Sequence, residues 1–153
     1  MYRKRSLRVA TAAILLFSIV AVLPLLSEAA LEPIIYTIRI PSPESHIAEI
    51  EVAIPTEKHP SIDLMMAVWS PGFYRVEDYS DKVQKLTART SDGTAVEVEQ
   101  TRKNRWSIST NGANWVVVNY SLQCDGRSVT TNWVGSDYSI FNIQRAGDLR
   151  HAP

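Results

Sequence analysis

Turn signals recur along this chain about every ten residues and leave no room for a long helix after the first thirty positions. The breaks fall at Pro41-Ser42-Pro43, Ser70-Pro71-Gly72, Ser91-Asp92-Gly93, Lys103-Asn104, Asn111-Gly112 and Asp125-Gly126. Between them lie short segments in which apolar and polar residues alternate, the pattern of strands with one buried face. Residues 46–54 alternate most cleanly, with Ala48, Ile50, Val52 and Ile54 on one face and Glu49 and Glu51 on the other. Residues 34–40 are rich in β-branched and aromatic side chains, so the two segments are expected to form a hairpin. Residues 94–99 alternate after the Asp92-Gly93 turn and are expected to pair back on the strand before it. Residues 105–109 alternate again, and residues 115–122 read as a long strand whose centre is apolar on both faces. The expected fold is an all-β antiparallel sandwich of about seven to nine short strands.

The stretch from Asp63 to Tyr74 is the exception to the alternation. Leu64, Met65, Met66, Ala67 and Val68 are consecutive apolar residues, followed by Trp69 and then Ser70-Pro71-Gly72-Phe73-Tyr74. A run of this kind suits a buried strand. Pro71 fixes its own φ, Gly72 accommodates a positive one, and the pair fits the central positions of a type II turn. The plain reading is a buried strand and its corner, with no nucleophile, general base or metal ligand set in it.

The same stretch resembles the N-terminal domain of the M61 (glycyl aminopeptidase) family of metallopeptidases. The segment Val68-Trp69-Ser70-Pro71-Gly72-Phe73-Tyr74 is followed by Glu77-Asp78-Tyr79 and Val83-Gln84, as in that family. A second match is Thr131-Asn132-Trp133-Val134-Gly135-Ser136-Asp137-Tyr138, and Tyr36 to His46 and Asp92 to Trp106 are similar as well. The resemblance runs from about residue 35 to residue 142. It implies a non-catalytic β-sandwich over residues 30–142, packed against a thermolysin-like zinc peptidase domain that lies outside this chain. It marks Trp69, Ser70, Pro71, Gly72, Tyr74, Asn132, Trp133, Asp137 and Tyr138 as motif or interface residues. Among the aromatics Trp69, Phe73, Tyr74, Trp133 and Tyr138, the core is the expected place for any single one.

Residues 143–153 depart from the family pattern and carry no apolar periodicity, so an irregular tail is expected there. An interrupted reading frame is the expected cause. At the other end, Arg3, Lys4, Arg5 and Arg8 precede an apolar run at 9–26, and Ser27-Glu28-Ala29 places small residues at a cleavage position. This is the layout of a secretory signal peptide over 1–29, with an uncleaved anchor at 9–26 as the alternative. Either way the folded part is expected on the exported side, periplasmic or secreted, with membrane contact only if the leader stays attached.

The formal net charge is zero. Removing the basic leader leaves a mildly acidic chain, and no basic footprint points to nucleic acid. Cys124 is the single cysteine, so no intrachain disulfide and no multi-cysteine metal site is available, and a buried strand residue is expected. A zinc peptidase of the thermolysin type needs two histidines one helical turn apart with a glutamate between them. The histidines are His46, His59 and His151, and no His-Glu-x-x-His occurs. No phosphate loop and no Gly-x-Ser-x-Gly elbow occurs either. Neighbouring Glu77 and Asp78 point apart on an extended backbone and make a poor acid–base pair. Arg102, Lys103 and Arg105 beside Trp106 read as a charged hairpin tip, and Asn119-Tyr120-Ser121 is formally a glycosylation sequon in a strand interior. The expectation is a chain without catalysis or cofactor of its own, with a peptidase catalytic domain or another protein or peptide as partner. The alternative is a free-standing exported domain that binds a peptide or protein along a sheet edge. A peptidase with an unrecognised site ranks third.

Overall fold

The computed structural model describes residues 32–69, 76–128 and 130–141. The leader expected at 1–29, the corner residues Ser70, Pro71, Gly72, Phe73 and Tyr74, and the tail from 143 lie outside the described residues. The described chain is all-β. Its strands are β1 (Ile35–Arg39), β2 (Ile47–Pro55), β3 (Ser61–Met65), β4 (Val83–Thr90), β5 (Ala95–Val96), β6 (Val98–Arg102), β7 (Arg105–Ser109), β8 (Trp115–Gln123), β9 (Trp133–Val134) and β10 (Ser139–Ile140). They form a five-stranded sheet in the order β1-β2-β8-β4-β5, a three-stranded sheet β3-β7-β6 and the small pair β9-β10. Every pairing is antiparallel.

Alternation in the sequence becomes a set of rows across the large sheet. Tyr36, Val52, Val118, Ala88 and Val96 stand opposite one another through all five strands. Ala48, Ile50, Val52 and Ile54 of β2 and Val116, Val118 and Leu122 of β8 are buried on this face. Ile108, Ile62, Leu64 and Val98 of the three-stranded sheet join the same core. The apolar faces of the two sheets thus meet in one core. The opposite face of the large sheet is polar around Glu51, which pairs with Arg89 at 3.1 Å and Arg39 at 3.8 Å. Between Gln84 and Thr87 the register against β8 slips by one residue, a β-bulge with Lys85 in the left-handed region at φ 54°.

The two ends of the sheets differ. At one end three buried threonines tie the loops down: Thr56 donates to Ala113 O, Thr110 to His59 O, and Thr90 to the Asp92 carboxylate. Asn111 and Gly112, both at positive φ, make the turn into β8, as the Asn-Gly pair predicts. The other end collects the loops around residues 41–46, 66–69, 76–82, 103–104, 124–128 and 130–138, and with them the described parts of the motif segments.

Four sequence expectations need correction. The run 64–68 is not a buried strand: β3 stops at Met65, residues 64–68 are half-buried and Trp69 is exposed. β3 is the edge of its sheet, and its partner β7 begins only at Arg105, opposite Met65. Beyond that point Asn104 takes over, accepting from Met66 N and donating to Met66 O, both at 2.9 Å. Residues 94–99 are not one strand. Ala95–Val96 pairs back on β4, and then the chain crosses at Glu97 so that Val98 pairs with Ile108 in the other sheet. That split, with the short β9 and β10, raises the strand count above the expected seven to nine. Finally, β8 has its buried residues Val116, Val118 and Leu122 on one face only, Trp115 and Val117 being half-buried on the other.

Candidate functional site

The second motif segment is built around Trp133. β8 runs on through Cys124 to Asp125, which bridges antiparallel to Trp133, and Val134 N donates to Cys124 O at 3.0 Å. Trp133 is only 7 % exposed. His46 lies against it, with ring centroids 4.6 Å apart, and Tyr138 stands at 6.3 Å. The Arg127 guanidinium sits 3.9 Å from the indole centroid, a cation–π contact. His46 adopts a left-handed backbone at φ 55°, which turns its ring so that Nδ1–H donates to Val134 O at 2.6 Å. Gly135 N donates to Tyr138 O and Tyr138 N to the Asp137 carboxylate, closing the β9–β10 turn. A Cβ on Gly135 would stand 3.0 Å from Trp133 Nε1, so this glycine makes room for the indole.

The first motif segment arrives from the other sheet. Trp69 bridges antiparallel to Val76 and Glu77 N donates to Val68 O at 2.6 Å, fixing the base of the corner. A 3-10 turn follows at Tyr79–Lys82. Thr130 Oγ1 donates to Glu77 Oε1 at 3.3 Å, and Lys82 pairs with Asp125 at 2.9 Å. The stretches that flank the two motif segments, with Glu77 and Thr130 more than fifty residues apart in sequence, therefore meet. Between them lies a cleft of about 140 Å³ lined by Glu77, Asp78, Tyr79, Lys82, Asp125 and Asn132 among others. Lys103 closes its flank, reaching Asp78 at 2.8 Å and Asp81 at 3.1 Å.

The chemistry of this end is that of paired charges. The Lys82 hydrogen bond holds the Asp125 carboxyl below its ordinary range. Hydrogen bonds to Asp78 and then Asp81 hold the Lys103 ammonium above its own. Both shifts fix the charged forms, the reverse of a general acid or base tuned toward neutrality. Glu77 and Asp78 have different partners and do not form a carboxylate pair. Among the described residues no group of histidine, cysteine, aspartate and glutamate side chains is arranged to hold a metal ion. Cys124 is buried, as the sequence predicts, and burial pushes its thiol up to about 11. At pH 8 only about one thiol in a thousand is then ionised. The native chain is expected to resist a thiol-specific reagent until denaturant is added, and stoichiometric labelling before unfolding would contradict that burial.

The structure places the sequence-marked residues unevenly. Trp133 is in the core, Trp69 and Tyr138 are half-exposed, and Asn132 lines the cleft. Ser70, Pro71, Gly72 and Tyr74 lie outside the described residues. Sequence reasoning gave His46 no role beyond its place among the histidines that form no His-Glu-x-x-His, and did not single out Arg127. Neither carries a local signal, because their partner is some ninety residues away for His46 and reached through a turn for Arg127. Gly126 was read as a turn residue, but its importance is steric. A Cβ there would fall 2.5 Å from Thr131 Cβ. Gly126→Ala is expected to cost about 1–3 kcal/mol in urea unfolding, since the clash involves a branched carbon rather than a flexible tip.

Two antiparallel sheets on one core define an all-β domain whose described end loops are held by ion pairs and ring contacts. The family model for the peptidase M61 N-terminal domain matches residues 35–147, and the chain belongs to that family. The match extends a few residues past 142, where the resemblance read from sequence stopped. Among solved structures, the chain is similar to the crystal structure of an aminopeptidase N family protein from Idiomarina loihiensis, with a TM-score of 0.62 and 25 % identity. That match covers 67 % of this chain and 17 % of the other, so the chain spans about a sixth of that protein's length. No curated protein matches the chain.

Proposed function

We propose that this chain is the non-catalytic N-terminal β-sandwich domain of an M61-type aminopeptidase, a scaffold on which a zinc peptidase domain packs. The observation that carries the reading is the family match over residues 35–147, in a chain whose sequence contains no His-Glu-x-x-His. The ion pairs of Asp125 with Lys82 and of Lys103 with Asp78 support it, since they hold Asp125 and Lys103 in their charged forms. Zinc belongs, on this reading, to the peptidase domain. The leader at 1–29 directs the domain to the exported side, periplasmic or secreted, with an anchor at 9–26 if it is not cleaved. The motif residues Trp69, Ser70, Pro71, Gly72, Tyr74, Asn132, Trp133, Asp137 and Tyr138 serve the packing of the end loops and the domain interface. The test is to mix the full chain with a family peptidase domain produced without its own β domain and measure complex formation by sedimentation. A complex of one to one is expected, and two independent species would overturn the reading.

A second reading is favoured by one observation: β1 and β3 stand at the ends of their sheets' strand orders among the described strands. An extended peptide added to either edge makes the chain a free-standing binding domain. A peptide that raises the melting temperature without any peptidase domain present would favour it.

A further inference from the structure

We propose that two copies of this chain pair edge to edge through β1, joining their five-stranded sheets into one continuous sheet about a two-fold axis at Thr37. The proposal rests on the second reading above and deepens it: it chooses the edge and names the occupant, a second copy of the chain. It does not depend on a peptidase domain. Among the described residues the two main sheets leave four outer strands, β1 and β5 on the large sheet and β3 and β6 on the small one. An unprotected outer strand is a template for another strand, and native sheets blunt such edges with short strands, bulges and charges.

Three of the four are blunted. β5 is only two residues long. β6 carries exposed Glu99 and Arg102, and its register against β7 slips between Gln100 and Arg102. β3 carries exposed Asp63 at its centre. Directly opposite side chains of an antiparallel pair lie on the same face. Two copies of one strand therefore keep their inward residues together only where the paired residue numbers add to an even number. In the centred register of β3 against itself, Ile62 meets Leu64 and Asp63 meets Asp63, two like charges face to face. β1 has none of these devices. Its five residues pair with β2 without a slip, and Tyr36, Thr37 and Ile38 at its centre are uncharged.

The same parity makes β1 complementary to itself. With Thr37 on the axis, Tyr36 meets the partner's Ile38 and Ile34 meets the partner's Ile40. All four are half-buried and packed on the core of their own copy, so the pairing continues one apolar face into the other. On the outer face Thr37 meets Thr37, a favourable cross-strand pair, and Ile35 meets the aliphatic stem of the partner's Arg39. Arg39 keeps Glu51 as its own ion partner at 3.8 Å. Ile35 is 54 % exposed in the single copy, and the pairing covers it. It is the one large apolar side chain that the large sheet exposes among the described residues. A strand of five residues a side is small beside the about 20–30 residues of a standard interface. The dimer is therefore expected to dissociate at concentrations on the order of 10 μM.

The experiment measures sedimentation of the full chain over a range of concentrations, for wild type and Thr37→Lys. Wild type is expected to pass from monomer to dimer. Within one copy Thr37 stands opposite Glu51, so a lysine there has a carboxylate beside it and the variant is expected to fold, as a circular dichroism melt reads. Across the axis the same lysine faces its own copy, and the dimer is expected to weaken about tenfold or more. Thr37→Cys gives a second readout. Opposite Cα atoms of an antiparallel pair stand about 4.5–5.5 Å apart, inside the disulfide range. Diamide, taking up the two electrons and two protons of the paired thiols, is expected to yield a covalent dimer. Ile35→Cys, whose opposite residue is Arg39, is expected to yield far less, and the buried Cys124 none. A chain that stays monomeric to about 1 mM overturns the proposal. Association that Thr37→Lys leaves unchanged overturns it too, as does equal cross-linking at positions 35 and 37. A peptide that raises the melting temperature of a chain found monomeric would leave edge binding standing while the dimer falls.

Discussion

Val118→Asp is expected to leave the chain unfolded at room temperature. Val118 is in the centre of β8, the strand that pairs with both β2 and β4, and it is buried in the row between Val52 and Ala88. A carboxylate there loses its water and finds no cation, since the ion pairs of the large sheet lie on its opposite face around Glu51. Burying an unpaired charge costs more than a typical point substitution, about 4 kcal/mol or more. A domain of this size has only about 5–15 kcal/mol to lose. Far-ultraviolet circular dichroism and a urea titration read the result. A cooperative transition at the wild-type midpoint would mean that β8 is not the centre of the core. Val118→Ala, which only removes methyl groups, is expected to fold with a lower midpoint and so to separate charge from cavity effects.

Trp133→Ala is expected to cost about 3–5 kcal/mol. The indole is the side chain against which His46 packs and over which Arg127 lies, and its strand is tied to Asp125 and Cys124. Its removal leaves a cavity under the β9–β10 turn and strips both neighbours of their contact. The loss is local to one end, so a folded large sheet with a much lower urea midpoint is expected. His46→Ala is expected to cost less, because it removes one ring and one hydrogen bond while the indole stays. Equal midpoints for wild type and Trp133→Ala would contradict the anchor role of this residue.

How much of this was readable in the sequence depended on whether the information was local. The alternation of residues 46–54 fixes which face of β2 is buried, and the structure buries Ala48, Ile50, Val52 and Ile54 accordingly. The Asp92-Gly93 and Asn111-Gly112 turns were equally legible, because positive φ has few sequence solutions. Which sheet a strand joins is not local. Residues 94–99 alternate without a break, yet the chain changes sheets at Glu97, and nothing in those six residues differs from a strand that stays. The run 64–68 misled for a related reason. Its hydrophobicity matches a central strand, but its place is at a sheet edge beyond the reach of β7, where apolar residues remain half-buried. The site was half legible. Both motif segments were visible, and Trp133 and Tyr138 were marked. That Glu77 meets Thr130, and that His46 and Arg127 serve the same indole, is set by contacts between distant parts of the chain.

The function proposed above is that of a scaffold and not of a peptidase. The most direct measurement incubates the purified full chain with zinc and a peptide bearing an N-terminal glycine, then quantifies released glycine and metal bound after dialysis. The account expects no release above the uncatalysed rate and less than stoichiometric zinc. Glycine release in proportion to chain concentration, abolished by a chelator and restored by zinc, would contradict it.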